Sequence, residues 1–210
     1  TTYDAAGQVT ATRPVPALER ADLERILGAF RGEIEQVPPP FSAIRQGGQH
    51  SYERARAGDL TSPPPRRVRI VELRLLTWNP PTLTWEVVCG SGTYVRSLAH
   101  DLGQQLGCGA HLQRLVRLRV GAMTLEQAIS LDELAAAETA GRVGELLLPL
   151  DLPVRDWPSV HLDERQAADL LAGRSIPLEI DPAESRARAC APPGLLLALL
   201  RYQSADDSWH

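Results

Sequence analysis

Residues 89–96 read Cys-Gly-Ser-Gly-Thr-Tyr-Val-Arg, so a hydroxyl, a phenol and a guanidinium follow a glycine-rich turn in quick succession. Gly92, with no Cβ, lets the backbone turn sharply or approach a ligand closely. Helical spacing resumes after it. Thr93 is predicted as the N-cap of a helix that runs to about Leu106 and stops at Gly107 and Gly109. Amides at such a helix start favour an anion. Arg96 then falls in the first turn, where the helix dipole prefers an acid. A cation that breaks this local rule is a candidate for function. The chemistry it offers is a grip on a carboxylate or a phosphate.

Other chemistries find no support. No Gly-x-Gly-x-x-Gly follows a strand, and no Gly-x-x-x-x-Gly-Lys-[Ser/Thr] occurs. There is no Gly-x-Ser-x-Gly elbow and no His-Glu-x-x-His. Cys89, Cys108 and Cys190 are odd in number and far apart, without a Cys-x-x-Cys or a histidine at ligand spacing. They are expected as small apolar side chains rather than a zinc site or a disulfide framework. Asp163 and Glu164 are adjacent, so they cap a helix rather than converge on one site. No cofactor and no metal are expected.

Composition sets the class. The 210 residues are 43% hydrophobic and 23% charged, as in an ordinary globular protein. No apolar run approaches the roughly 20 residues that span a bilayer. No basic-then-apolar signal opens the chain, and a cytoplasmic location without membrane contact is expected. All 22 basic residues are arginine. The net charge of −4 hides a strong asymmetry. Residues 42–119 carry 11 Arg against 5 acids, whereas residues 120–210 carry 7 Arg against 15 acids. A basic middle in an acidic chain is a local electrostatic footprint that suits a polyanion.

Periodicity supplies the elements that must hold the turn. Leu23, Ile26, Leu27 and Phe30 make residues 18–30 an amphipathic helix, with Gly32 as its stop. Pro38-Pro39-Pro40 forces an extended exit. Residues 41–66 form a long polar loop, of the kind that is usually functional, within which Tyr52, Ala55 and Arg56 fit a short helix. Residues 68–75 and 83–89 read as an antiparallel hairpin turning at Asn79-Pro80-Pro81. Leu112 to Arg119 is a strand or short turn, and helical patterns follow near 126–137 and 142–148. Pro149, Pro153 and Pro158 mark a linker. Beyond it, Asp163 caps a helix that reaches Leu171 and stops at Gly173, and Leu195 to Leu200 reads as a buried strand. The fold class is α+β with a mixed or antiparallel sheet.

Residues 89–112, with Gly-Thr-Tyr-Val-Arg, Asp101-Leu102-Gly103 and Gly107-Cys108-Gly109-Ala110-His111-Leu112, resemble the TruB family of tRNA pseudouridine synthases. Asp4-Ala5-Ala6-Gly7 resembles the family's early strand, and Phe30 to Pro39 its helix exit. Phe41-Ser42-Ala43-Ile44-Arg45, with Gly48 and Tyr52, resembles its RNA-clasping thumb loop. The resemblance implies a partial pseudouridine synthase catalytic domain over residues 1–152, with the thumb loop near 38–66, and a small, truncated PUA-like RNA-binding domain over 153–210. It implies a T-loop uridine of tRNA as substrate, flipped from its stack and isomerised through a covalent aspartate adduct. Arg96 would pair with that aspartate, and Tyr94 would act beside it. Leu115, Gly92 and Thr93 would form the uracil pocket. Ser42, Arg45, Tyr52, Arg56, Arg66, Arg67, Arg114 and Arg117 would contact RNA. The T arm of tRNA is the implied partner, and a monomer is expected.

One departure matters. The family's nucleophile lies in a Leu-Asp-Pro context, and the only Asp-Pro here is Asp181-Pro182, far off in the appendix. Asp4 belongs to a different motif and is not taken as the nucleophile. The 210 residues are therefore expected to be a fragment that is inactive alone. A non-catalytic tRNA-binding or tRNA-folding module is the alternative.

Overall fold

A computed structural model describes every residue except 175, 177, 179, 182, 193, 205–207 and 210. The chain divides into two compact units, Thr1–Val116 and Arg117–His210. The expected boundary at 152/153 lies inside the second, and Pro182 lies outside the described residues.

The first unit is an antiparallel three-stranded sheet with helices on one face. Helix α1 (Arg20–Gly28) is closed at its start by a reciprocal Glu19–Asp22 capping box. Leu23 and Leu27, one turn apart, are fully buried beneath it. Gly32, expected to stop this helix, instead opens strand β1 (Gly32–Gln36) at a positive φ of 88°. The helix has already ended at Gly28. The supposed loop 41–66 is not structureless. It holds a small hairpin, β2 (Arg45–Gln46) and β3 (Gln49–His50), and the expected short helix, α2 (Ser51–Arg56).

Strand β4 (Arg66–Asn79) pairs on one side with β1 and on the other with β5 (Thr82–Cys89), giving the order β1-β4-β5. The predicted hairpin turns at Pro80-Pro81, with Asn79 opposite Thr82. Pairing with β1 ends at Ile70, where Gly32 begins. The rest of β4 therefore needs other donors on that side. Arg31 supplies two hydrogen bonds to the Leu73 carbonyl, and Arg20 reaches the Leu75 and Leu76 carbonyls. Ile70, Leu73 and Leu75 pack with Leu98 and Leu102 of helix α3 (Val95–Gln105) and with α1 into one core.

The second unit opens with the short pair β6 (Arg119–Val120) and β7 (Met123–Thr124). Residues 113–118, read as a strand or turn, are irregular. Helices α4 (Leu131–Thr139) and α5 (Val143–Leu146) match the two helical patterns. Next come β8 (Ser159–His161) and α6 (Glu164–Leu171), capped by Asp163 as predicted, its carboxylate accepting from the Gln166 amide. Strands β9 (Arg186–Ala191), β10 (Leu195–Gln203) and β11 (Ser208–Trp209) complete a sheet of order β11-β10-β9-β8, parallel only between β8 and β9. Leu162, Ala187, Ala189, Leu200 and Trp209 form its core. The run Leu195 to Leu200 is not the buried strand expected: Leu195 and Leu199 are 68% and 52% exposed, and Leu200 alone of the run is buried. The three cysteines are free.

Candidate active site

The glycine turn leaves β5 through Gly90, whose amide donates to the Arg69 carbonyl at 2.8 Å. Gly92 takes a φ of +82°, which side-chain-bearing residues rarely adopt. Thr93 is not the helix cap. Its hydroxyl donates instead to the Gly90 carbonyl at 2.9 Å, tying the turn shut. Tyr94 holds the N-cap position in an extended conformation, and no side chain of its own caps the helix. A residue of β1 anchors the Tyr94 main chain instead. The Tyr94 amide donates to Gln36 Oε1 at 2.7 Å, and Gln36 Nε2 donates to the Tyr94 carbonyl at 3.1 Å. Gln36 is completely buried. A buried amide with both ends bonded is a fixed anchor, because losing either partner strands a desolvated polar group. Ser97, also buried, donates to the Val37 carbonyl at 2.7 Å.

Arg96 in the first turn of α3 is held at several points. Its Nη1 donates to Asp4 Oδ2 at 3.1 Å and to the Thr2 carbonyl at 3.2 Å, and its Nη2 donates to the Phe41 carbonyl at 2.9 Å. The pair is about three-quarters buried on both sides. Asp4 is in turn held through its other oxygen by the Thr2 hydroxyl at 2.6 Å and the Ala6 amide at 3.1 Å. Burial would raise the Asp4 carboxyl. The hydrogen bonds from Thr2 and Ala6 and the neighbouring guanidinium outweigh burial and hold it below the usual carboxylate range. Asp4 is therefore ionised at neutral pH, with both oxygens engaged. Such a carboxylate suits an orienting role better than nucleophilic attack.

The glycine-rich block explains how Asp4 arrives. At Gly103 a Cβ would lie only 2.1–2.6 Å from atoms of Gly109 and Ala110, so the chain folds back tightly against α3. That return brings Leu112 beside the first residues: its amide donates to the Tyr3 carbonyl at 2.9 Å and its carbonyl accepts from Ala5 at 3.0 Å. Tyr3 adopts a φ of 64°, an uncommon backbone for a side-chain-bearing residue. Its ring stacks on His100 of α3 at 3.8 Å. Asp4 and Leu112 thus form a short parallel bridge that aims the carboxylate at Arg96.

An open depression is lined by Asp4, Arg96, Leu112, Arg114 and Leu115. Leu115 is 55% exposed there, an apolar side chain presented at a surface beside an oriented cation. The structure thus brings together Arg96, Leu115 and Arg114 of the predicted set. Gly92, Thr93 and Tyr94 belong to the adjoining turn. On the thumb segment, Arg56 lies over the Tyr52 ring at 5.4 Å, Tyr52 stacks on His50 at 5.1 Å, and Arg45 Nε donates to His50 Nε2 at 3.3 Å. Ser42 is buried. Arg67 is exposed on the open face of β4, and Arg117 opens the second unit. Sequence reasoning passed over Gln36 and left Asp4 aside. A glutamine at an inward position of a strand, two residues after Ile34, was the available signal for the first. Among the described residues no group of His, Cys, Asp or Glu is arranged to hold a metal, and no helix is long and apolar enough to cross a membrane.

Comparison with known proteins fits this architecture. In the solved structures of a Cbf5-Nop10-Gar1 complex and of an H/ACA RNP bound to a substrate RNA containing 2'-deoxyuridine, matching chains have TM-scores of 0.70 and 0.69. They are 21% and 19% identical, with 90% and 92% of this chain covered and 57% and 58% of the other. The fold is that of a pseudouridine synthase. Residues 1–95 match the model of the TruB family pseudouridylate synthase N-terminal domain, and residues 96–155 that of the tRNA pseudouridylate synthase B C-terminal domain. Proteins called tRNA pseudouridine synthase B from Thiobacillus denitrificans and Syntrophomonas wolfei are 50% and 40% identical over 185 and 210 residues, covering 88% and 98% of this chain and 60% and 69% of theirs. The chain belongs to the TruB family of pseudouridine synthases. It spans 57% and 60% of the length of the relatives from Burkholderia lata and Thiobacillus denitrificans.

Proposed function

We propose that these residues form the uridine-binding and RNA-contacting part of a tRNA pseudouridine synthase. The observation that carries this reading is the Arg96 guanidinium, fixed by Asp4, Thr2 and Phe41 and presented beside Leu115. Pseudouridine formation breaks the C1′–N1 bond, turns the base and joins C1′ to C5. C5 loses a proton and N1 gains one, so the step is an isomerisation with no redox partner. A nucleophilic carboxylate must stay ionised in a desolvated site, and a neighbouring guanidinium keeps it so. An apolar side chain such as Leu115 suits the face of a uracil taken out of its stack.

The nucleophilic aspartate, in this reading, comes from a part of the enzyme outside these 210 residues. The T arm of tRNA is the partner, met by Arg114, Arg117, the thumb segment and the basic stretch 42–119 through backbone and shape contacts. Residues 153–210 act as a PUA-like RNA-binding appendix. The enzyme works as a cytoplasmic monomer with no cofactor or metal. The Arg56–Tyr52–His50 stack favours a second reading, a tRNA-binding module whose work needs no turnover.

The purified chain and the full gene product are assayed on a T stem-loop RNA by following pseudouridine. Product from the full gene product and none from the 210 residues is the expected result. Product from the 210 residues alone would remove the requirement for an outside nucleophile, and none from either would favour the second reading.

A further inference from the structure

Arg66 and Gln36 are direct partners at the last position of the β1–β4 register. Residues opposite each other in an antiparallel pair project their side chains to the same face. Here that face is the one that carries Val68 and Ile70 into the core, toward the start of α3. Both side chains end on one residue. Gln36 takes the Tyr94 amide and carbonyl. The Arg66 guanidinium lies over the Tyr94 ring, 4.8 Å from its centroid, and donates to the Gly92 carbonyl. Its Nε is enclosed with no hydrogen-bond partner. A guanidinium committed in this way to a ring and a carbonyl is poorly placed to serve as a phosphate contact.

We infer that Arg66 is a positioning residue for Tyr94, the ring-side half of a two-residue clamp whose backbone half is Gln36. The inference rests on the reading of Tyr94 as an active-site residue of a uridine isomerase. Gln36 fixes where the tyrosine main chain sits at the helix start. Arg66 fixes which way the ring faces and holds the Gly92 turn open beneath it. Arg66 is also the residue at which the thumb segment joins β4. The clamp therefore ties the seating of that segment to the ring at the site.

The test uses the full gene product on a T stem-loop RNA. Arg66→Ala is expected to lower kcat about ten- to thirtyfold, the range that loss of a partly desolvated cation–π contact allows. KM and the salt dependence of binding stay within about twofold of wild type. In a Tyr94→Leu background the same substitution adds less than about twofold, because there is no ring left to orient. Arg66→Lys keeps a charge but not the fork, and shows a smaller loss in kcat. Glu33→Ala, on the face of β1 opposite Gln36 and outside the basic stretch, serves as control. A rise in KM with unchanged kcat and a flatter salt slope would make Arg66 a phosphate contact and overturn the clamp. So would equal losses in the wild-type and Tyr94→Leu backgrounds. If wild type forms no pseudouridine, the functional reading fails by itself. The clamp is then judged from the Tyr94 ring signals in carbon-labelled protein: a shift on Arg66→Ala but not on Glu33→Ala supports it, and no shift refutes it.

Discussion

Arg96 breaks the helix-dipole rule and is offset by neighbours from two distant segments, Asp4 with Thr2 and the Phe41 carbonyl. The anomaly was legible in the sequence; the partner was not, because nothing in the composition of residues 1–8 says that Leu112 will pair beside Asp4. Two acids near this site titrate in opposite senses. Asp4 has a folded pKa below its unfolded one, so the stabilisation it contributes is complete above pH ~4 and is lost as pH falls through the folded value. Asp101 is raised, by burial first, with His100 partly offsetting it. Its contribution is therefore full below pH ~4 and lost as pH rises through the raised value. Asp101→Asn is expected to raise the melting temperature at pH 7 and to leave it unchanged near pH 3. Thermal melts at the two pH values check this, and a lower Tm at pH 7 would show that the carboxylate is engaged rather than merely buried.

At the scale of elements, the hairpin of β4 and β5, α1 and the α6 cap follow directly from alternation, spacing and capping chemistry. Other features do not. Gly32 looks like a helix stop because a glycine after an apolar helical stretch usually is one. It opens a strand because the helix had already ended at Gly28. Thr93 looks like a cap, but its hydroxyl closes the preceding turn, and Gln36 from β1 instead fixes the amide and carbonyl of Tyr94, the residue at the N-cap position. Residues 195–200 look buried because they are uniformly apolar, yet Leu195 and Leu199 of that strand are exposed. Gly103 is the position where an element most depends on a missing side chain. Gly103→Ala drives a methyl into the backbone of Gly109 and Ala110. It is expected to destabilise the chain by about 2–3 kcal/mol, the cost of overpacking a closed contact, and to loosen the Asp4–Leu112 bridge. Urea unfolding measures the first, and amide exchange at Leu112 and Ala5 the second. A stability within error of wild type would mean that the turn can shift at no cost.

Across the whole molecule, the arginine-rich stretch 42–119 contains β2 to β5, α2 and α3, and all of its arginines except Arg117 and Arg119 lie on the unit that holds Arg96. The remaining acids weight the second unit. This division was readable from charge counts alone, whereas the particular reaction came from the resemblance of residues 89–112 and not from charge or periodicity. In this reading the basic stretch binds and Arg96 is needed for turnover. The most direct measurement is therefore the Arg96→Ala variant of the full gene product on a T stem-loop RNA, with single-turnover rate and RNA affinity determined together. Turnover should fall by about a hundredfold or more, as when one preorganised donor that stabilises charge at a reacting centre is removed, while Kd stays within about threefold and keeps its salt dependence. Turnover that survives the substitution, or an affinity that collapses in step with the rate, would contradict the assignment of Arg96.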